Sequence, residues 1–128
     1  MDYKDLTGEM PLANIVQALD DNGDGEADQD AWASVQQSAE DRISDAFGGS
    51  VPERYANAAA YARKVFLLET LFGRRGFSGD KNPFTSRAND AEKRLRLLST
   101  GEKTPEGQGG GTIFSKDAKV ANATGLMA

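Results

Sequence analysis

The sequence predicts an all-α fold: four helices in one small domain, a long loop between the third and the fourth, and an extended arm at the carboxyl end. Three observations carry this. Apolar residues recur at spacings of three and four in four separate stretches, the period of a helix face. Proline, aspartate or glycine stands where each stretch begins or ends, as helix starts and stops require. After Gly101 the pattern gives way to a glycine-rich segment containing Gly107, Gly109, Gly110 and Gly111.

The first helix is expected from about Pro11 to Leu19. Pro11 suits the first turn, and Leu12, Ile15, Val16 and Leu19 keep helical spacing. The second runs from about Asp28 to Phe47. Trp32, Val35, Ala39, Ile43 and Phe47 form one apolar stripe, Asp28 is placed to cap the amino end, and Gly48-Gly49 ends it. The third starts near Pro52 or Arg54 and runs to Phe72, with Gly73 as its stop. Its apolar residues (Ala58, Ala59, Ala62, Val65, Phe66, Leu68, Leu71, Phe72) lie around much of the circumference, which marks a central helix. The fourth runs from about Ser86 to Thr100. Ala91, Leu95 and Leu98 face inward, Lys93, Arg94 and Arg96 face outward, and Gly101 is the stop.

Arg74 to Thr85 is then a polar loop punctuated by Phe77 and Phe84. It is longer than the two to eight residues that commonly join bundle helices, and long loops in small domains often carry function. The chain divides into a helical domain, residues 1–101, and a Gly-rich extended arm, residues 102–128. Glu106 to Gly111 reads as a hinge, and Thr112 to Ser115 as a short strand-like piece.

The 128 residues leave room for one domain. With no cysteine there is no disulfide, thiol nucleophile or Cys-type zinc site, and with no histidine the commonest general base and metal ligand are gone. No secretory leader is read at the amino end, and no apolar run approaches the ~20 residues that cross a bilayer, so no membrane partner is expected. The net charge of −5 conceals a split. Residues 1–51 hold 12 acidic and two basic side chains, net −10, and residues 52–128 are net +5. Such a dipolar chain can attract copies of itself head to tail, although two solvated faces would look the same in sequence.

Three constellations could carry chemistry. Asp20-Asp21-Asn22-Gly23-Asp24-Gly25-Glu26-Ala27-Asp28 fits the start of a calcium loop. Asp20, Asn22 and Asp24 take positions one, three and five, Gly25 the sharp turn at six, Glu26 seven and Asp28 nine. Position twelve is Ala31, where a bidentate Glu belongs, so any calcium held there is weakly bound; the alternative is a solvated acidic turn. No other cofactor is indicated. The second constellation is basic: Arg74, Arg75, Lys81 and Arg87 in and after the loop, and Lys93, Arg94 and Arg96 on the fourth helix. These suit a protein contact better than DNA, since no helix-turn-helix or RNP-like pattern accompanies them and the pI is near 4.7. Asp41 and Asp45 share a helix face as a carboxylate pair, but on the polar side, away from the apolar stripe. The chain is read as a non-enzyme.

The order of short motifs resembles one family, the Mu-like prophage proteins grouped with the head–tail connectors (neck adaptors or head-completion proteins) of tailed phages. Tyr3 to Leu6 resembles its opening, and Leu19 to Asp28 its Asp/Gly-rich turn. Ala39 to Phe47 resembles the later part of its second helix, and Arg54-Tyr55 the Arg-Tyr after that helix. Ala59 to Phe72 is similar to its apolar third helix, Ala91 to Lys103 to its closing helix, and Phe114-Ser115-Lys116-Asp117 to its late Phe-Ser-Arg-Asp. The stretch after Arg54-Tyr55 departs from the pattern, being shortened to Ala56-Asn57-Ala58, and the end of the chain differs.

The resemblance implies a homo-oligomeric ring, commonly a dodecamer, beneath the portal protein. It would extend the DNA channel, pass packaged DNA without reading its sequence, and dock the stopper or tail-terminator protein. The location implied is the head–tail interface of the virion, after assembly in the bacterial cytoplasm. The residues expected to reach partners are Arg74, Arg75, Phe77, Lys81 and Phe84 in the loop, and Ile113, Phe114, Lys116 and Asp117 in the arm. The alternatives are a weak calcium-dependent binding module built on Asp20 to Asp28, and a small DNA-binding protein using Arg74, Arg75, Lys93, Arg94 and Arg96.

Overall fold

The computed structural model describes residues 1–103. Met1–Arg96 form one compact unit and Leu97–Ala128 a second; the hydrophobic core lies in the first. Four α-helices occur in order: α1 Leu12–Leu19, α2 Gln29–Phe47, α3 Ala56–Arg74 and α4 Thr85–Lys103, with short 3-10 turns at Tyr3–Leu6, Glu53–Tyr55 and Gly79–Lys81. Among the described residues there is no strand, and no helix is long and apolar enough to cross a membrane. The expected strand-like piece and hinge lie outside the described residues.

The central place of α3 is set by its sequence. Val65, Phe66, Leu67 and Leu68 are consecutive and all buried, so apolar side chains leave this helix in every direction and need cover on every side. The expected stripe of α2 (Trp32, Val35, Ala39, Ile43, Phe47) covers one flank, joined by Ala31 and Ala46. Ile15, Ala18 and Leu19 of α1 and Ala88, Ala91 and Leu95 of α4 complete the core. Each large side chain so buried is worth ~1.5–3 kcal/mol. On α1, Val16 is only half-buried and Leu12 is exposed.

Several helix ends differ from expectation, each for a local reason. Pro11 stands just before α1 rather than inside it, with extended backbone. Asp28 precedes α2 but its carboxylate makes no cap bond; it turns back and accepts from the Asp21 amide at 2.7 Å and the Asn22 side-chain amide at 3.2 Å. At the other end of α2, Gly48 adopts a left-handed conformation (φ 83°), and the amides of Gly48 and Gly49 both donate to the Ser44 carbonyl. The segment before α3 is a separate 3-10 turn after Pro52, where Tyr55 packs on Phe47 with ring centroids 5.9 Å apart.

Two glycines expected as stops are helical. Gly73 lies inside α3, which continues to Arg74. The stop is Gly76, whose φ of 93° suits glycine; there the Gly76 amide donates to the Gly73 carbonyl and the Phe77 amide to the Phe72 carbonyl. Gly101 likewise lies inside α4, which runs on to Lys103. A glycine costs a helix only ~1 kcal/mol relative to alanine, too little to break one that continues on both sides.

An anchored amino-terminal turn was not visible in the sequence. The Asp2 carboxylate accepts from the Lys4 amide, and Leu6 and Met10 are fully buried. Trp32 donates its indole N–H to the Met1 carbonyl at 3.1 Å, Gln36 donates to the same oxygen, and Tyr3 meets the Trp32 ring edge-on at 6.0 Å.

Candidate functional site

The acidic turn between α1 and α2 spends its oxygens on its own backbone. The Asp20 carboxylate accepts from the amides of Gly23 (2.8 Å), Asp24 (3.1 Å) and Gly25 (2.8 Å). Asn22 accepts from the Asp24 amide and Asp24 from the Glu26 amide. Gly23 and Gly25 have φ of 78° and 83°, the left-handed conformations that let successive amides converge on one carboxylate. The Gly25 amide is the largest cause holding the Asp20 carboxyl below its ordinary pKa; desolvation, next in size, opposes it, and the Gly23 and Asp24 amides add to the lowering. Glu26 is exposed, and Asp28 is taken up by Asp21 and Asn22. Among the described residues, no three acidic side chains stand together closely enough to hold a metal ion.

The basic loop meets this turn. Arg74 donates to the Ala18 carbonyl at the end of α1 (2.7 Å) and pairs with the Asp21 carboxylate. Arg75 donates to Gln17 at 3.0 Å and lies over the Phe77 ring at 5.4 Å. These two arginines therefore tie the end of α3 to α1. Phe77 keeps 38% of its surface exposed, and Lys81 is exposed. Phe84 is buried, 6% exposed, with its ring tilted against that of Phe72 at 5.5 Å and Arg87 over it. Its apolar ring is consumed by the core that seats α4. Ile113, Phe114, Lys116 and Asp117 lie outside the described residues.

Asn82 gives the loop its shape. Buried at the foot of α4, it donates to the carbonyls of Glu69 (2.9 Å) and Phe77 (3.3 Å) and accepts from the Phe84 amide (3.0 Å). Buried amides are found where their hydrogen bonds are met, and here they hold both ends of the loop on α3. The sequence offered only an Asn-Pro pair as its signal.

Part of the charge split is answered within the chain. Acidic side chains of the first part pair with basic ones of the second: Glu9 with Lys64, Glu40 with Arg63, Asp21 with Arg74. Arg42, one of two basic residues before Pro52, reverses the pattern and pairs with Glu69 (2.6 Å) and Glu92 (3.0 Å), joining α2, α3 and α4. Partial burial works against its charge, but the two carboxylates outweigh that and raise its pKa. Glu92 is held below its ordinary pKa first by Arg96 and then by Arg42. Glu40, bonded to Arg63, raises that guanidinium too.

Lys93 and Arg94 are exposed on α4 and enter no ion pair among the described residues. Asp41, on the outer side of α2, accepts from Gln37 (2.9 Å); Asp45 is exposed one turn on. Asp41 stands with Glu40 and Glu53 on the rim of a cleft of about 540 Å³ between the second half of α2, the Gly49–Glu53 segment and the start of α3. Compared with models of protein families, with curated proteins and with solved structures, the chain matches none of them.

Proposed function

We propose that the chain is a structural head–tail adaptor of a tailed-phage particle. Copies form a ring beneath the portal, extend the DNA channel, and present a surface to the stopper or tail-terminator protein. The observation that carries this reading is the order of the sequence motifs from Tyr3 to Asp117. The helices α1 to α4, the acidic turn between α1 and α2, and the long loop before α4 are in keeping with it. So is the disposition of the charges: Lys93, Arg94 and Asp41 point outward while the ion pairs consolidate the subunit. The protein then sits at the head–tail interface of the virion, and packaged DNA passes through the ring without sequence-specific contacts.

The test is to mix the pure protein with portal rings of the same particle and follow binding by native mass spectrometry and negative-stain images. Rings of this chain stacked on the portal are expected. A protein that stays monomeric and never binds portal overturns the reading. Deleting residues 106–128 is expected to leave the helical signal in circular dichroism intact and to block particle assembly; normal assembly would remove the arm from the mechanism.

A further inference from the structure

The turn between α1 and α2 holds the chain's only Asn-Gly pair, Asn22-Gly23, and its only Asp-Gly pair, Asp24-Gly25. Both glycines serve the backbone. Their φ angles are 78° and 83°, and a methyl group at either meets nothing within 4 Å, so conformation and not space excludes a side chain. The same bareness leaves each glycine nitrogen unhindered beside the carboxamide or carboxyl that precedes it, a thermolabile arrangement.

The reaction needs only water. At Asn22 the Gly23 nitrogen gives up its proton and bonds to Cγ; the Cγ–Nδ2 bond breaks, ammonia leaves, and a succinimide closes. Water opens the ring at either carbonyl, giving aspartate or isoaspartate. At Asp24 the Gly25 nitrogen attacks the protonated carboxyl and expels water, and reopening by water again gives either isomer. Residues 22–25 are all exposed, so solvent reaches both pairs.

In the fold both nucleophiles are occupied by one carboxylate. The Gly23 amide donates to Oδ1 of Asp20 and the Gly25 amide to its Oδ2, each at 2.8 Å. The groups to be attacked are held too. Asn22 accepts from the Asp24 amide and donates to Asp28, and Asp24 accepts from the Glu26 amide at 2.9 Å. To close a ring, a glycine nitrogen has to leave Asp20 and turn toward the side chain before it.

We propose that Asn22 and Asp24 are succinimide-forming modification sites that Asp20 keeps closed in the folded chain. Ageing of this turn is therefore gated by its own folding, whatever the chain assembles with. Conversion also reinforces itself. Deamidation sets a new carboxylate against Asp28, and isoaspartate adds a methylene to the main chain between amides that Asp20 has to gather. Arg74 is paired with the adjoining Asp21, so the damage reaches the join between α1 and α3.

The test uses the full-length protein stored at neutral pH, native or unfolded in guanidinium. Peptide mass spectrometry follows deamidation at Asn22, and labelling by an isoaspartyl methyltransferase follows isoaspartate at Asp24. The native chain is expected to convert at both sites at least about tenfold more slowly than the unfolded one, the rate equivalent of one hydrogen bond to a charged group. Asp20→Ala is expected to bring both rates toward the unfolded ones while hydrogen exchange in α3 stays native. Asp20→Asn carries the test where alanine unfolds the chain. Its one remaining oxygen can keep the Gly23 and Asp24 amides, but its new NH2 cannot accept from Gly25, so Asp24 is expected to speed and Asn22 to stay near its native rate. Asp28→Ala, which frees the Asn22 side chain and spares the Asp20 bonds, is expected to leave Asp24 unchanged. Equal rates in native and unfolded chains overturn the proposal, as does an Asp20→Asn chain in which Asp24 keeps its native rate. A folded Asp20→Ala chain that converts no faster overturns it too; slower conversion would make Asp20 the base that activates these amides. Equal acceleration of both sites by Asp28→Ala overturns it by assigning the protection to the rigidity of the whole turn.

Discussion

The guanidinium of Arg42 lies over the ring of Phe66, 4.2 Å from its centroid, so a charged side chain of α2 covers the most central helix of the fold. Its two carboxylate partners, Glu69 and Glu92, stand on α3 and α4. Replacing it by alanine removes the ring contact and leaves two half-buried carboxylates without their shared cation. Arg42→Ala is expected to cost about 1–3 kcal/mol in urea unfolding. Arg42→Lys is expected to recover less than half, because a point charge cannot serve both acids and the ring in one geometry.

Acid should weaken the fold through the same cluster. Arg96 and Arg42 keep Glu92 ionised to lower pH when folded than when unfolded. The stability this supplies is complete above the ordinary glutamate value of 4.5 and is lost as the pH falls through the folded value. Asp20 acts in the same direction, starting below its ordinary 3.8. Thermal unfolding monitored from pH 6 down to about pH 3 should show a falling midpoint, and Glu92→Gln should flatten that slope. A midpoint that rises on acidification would contradict the assigned pairs.

The two glycines around the end of α3 should respond oppositely to alanine. Gly73 is helical and a methyl group there meets nothing within 4 Å, so Gly73→Ala is expected to stabilise by about 0.4–1 kcal/mol. Gly76 has φ 93°, and Gly76→Ala is expected to destabilise by about 1 kcal/mol or more. Chemical denaturation of the two variants side by side measures both.

Asn82→Ala leaves the Phe84 amide without its acceptor and two carbonyls without their donor. A loss of about 2–3 kcal/mol is expected. Hydrogen exchange should locate it, with faster exchange at Phe84 and in the first turn of α4.

The helices themselves were legible because their apolar spacing is strong and local. The stripe from Trp32 to Phe47 and the all-round burial of Val65 to Leu68 are dictated by side-chain order alone. Helix ends were less so, since glycine marks an end only where the backbone turns left-handed, and φ at Gly73, Gly76 and Gly101 depends on where the next segment must pack. The site was legible as residue types but not as pairings. Sequence gathered Arg74 with the other basic residues and Asp21 with the acidic ones, whereas the fold joins these two to each other. Arg42 gave no signal, because its partners lie far along the chain. Phe84 looked like a loop aromatic because nothing nearby in sequence reveals the Phe72 ring that receives it.

The ion pairs that tie the acidic first part of the chain to the basic second part also have a consequence for the denatured state. Without the fold, the chain is a block polyampholyte, one negative block and then one positive. In low salt those blocks attract and the unfolded ensemble contracts; added salt lets it expand. The surface exposed on unfolding, and with it the dependence of stability on urea concentration, should therefore grow with ionic strength even where the native structure is unchanged.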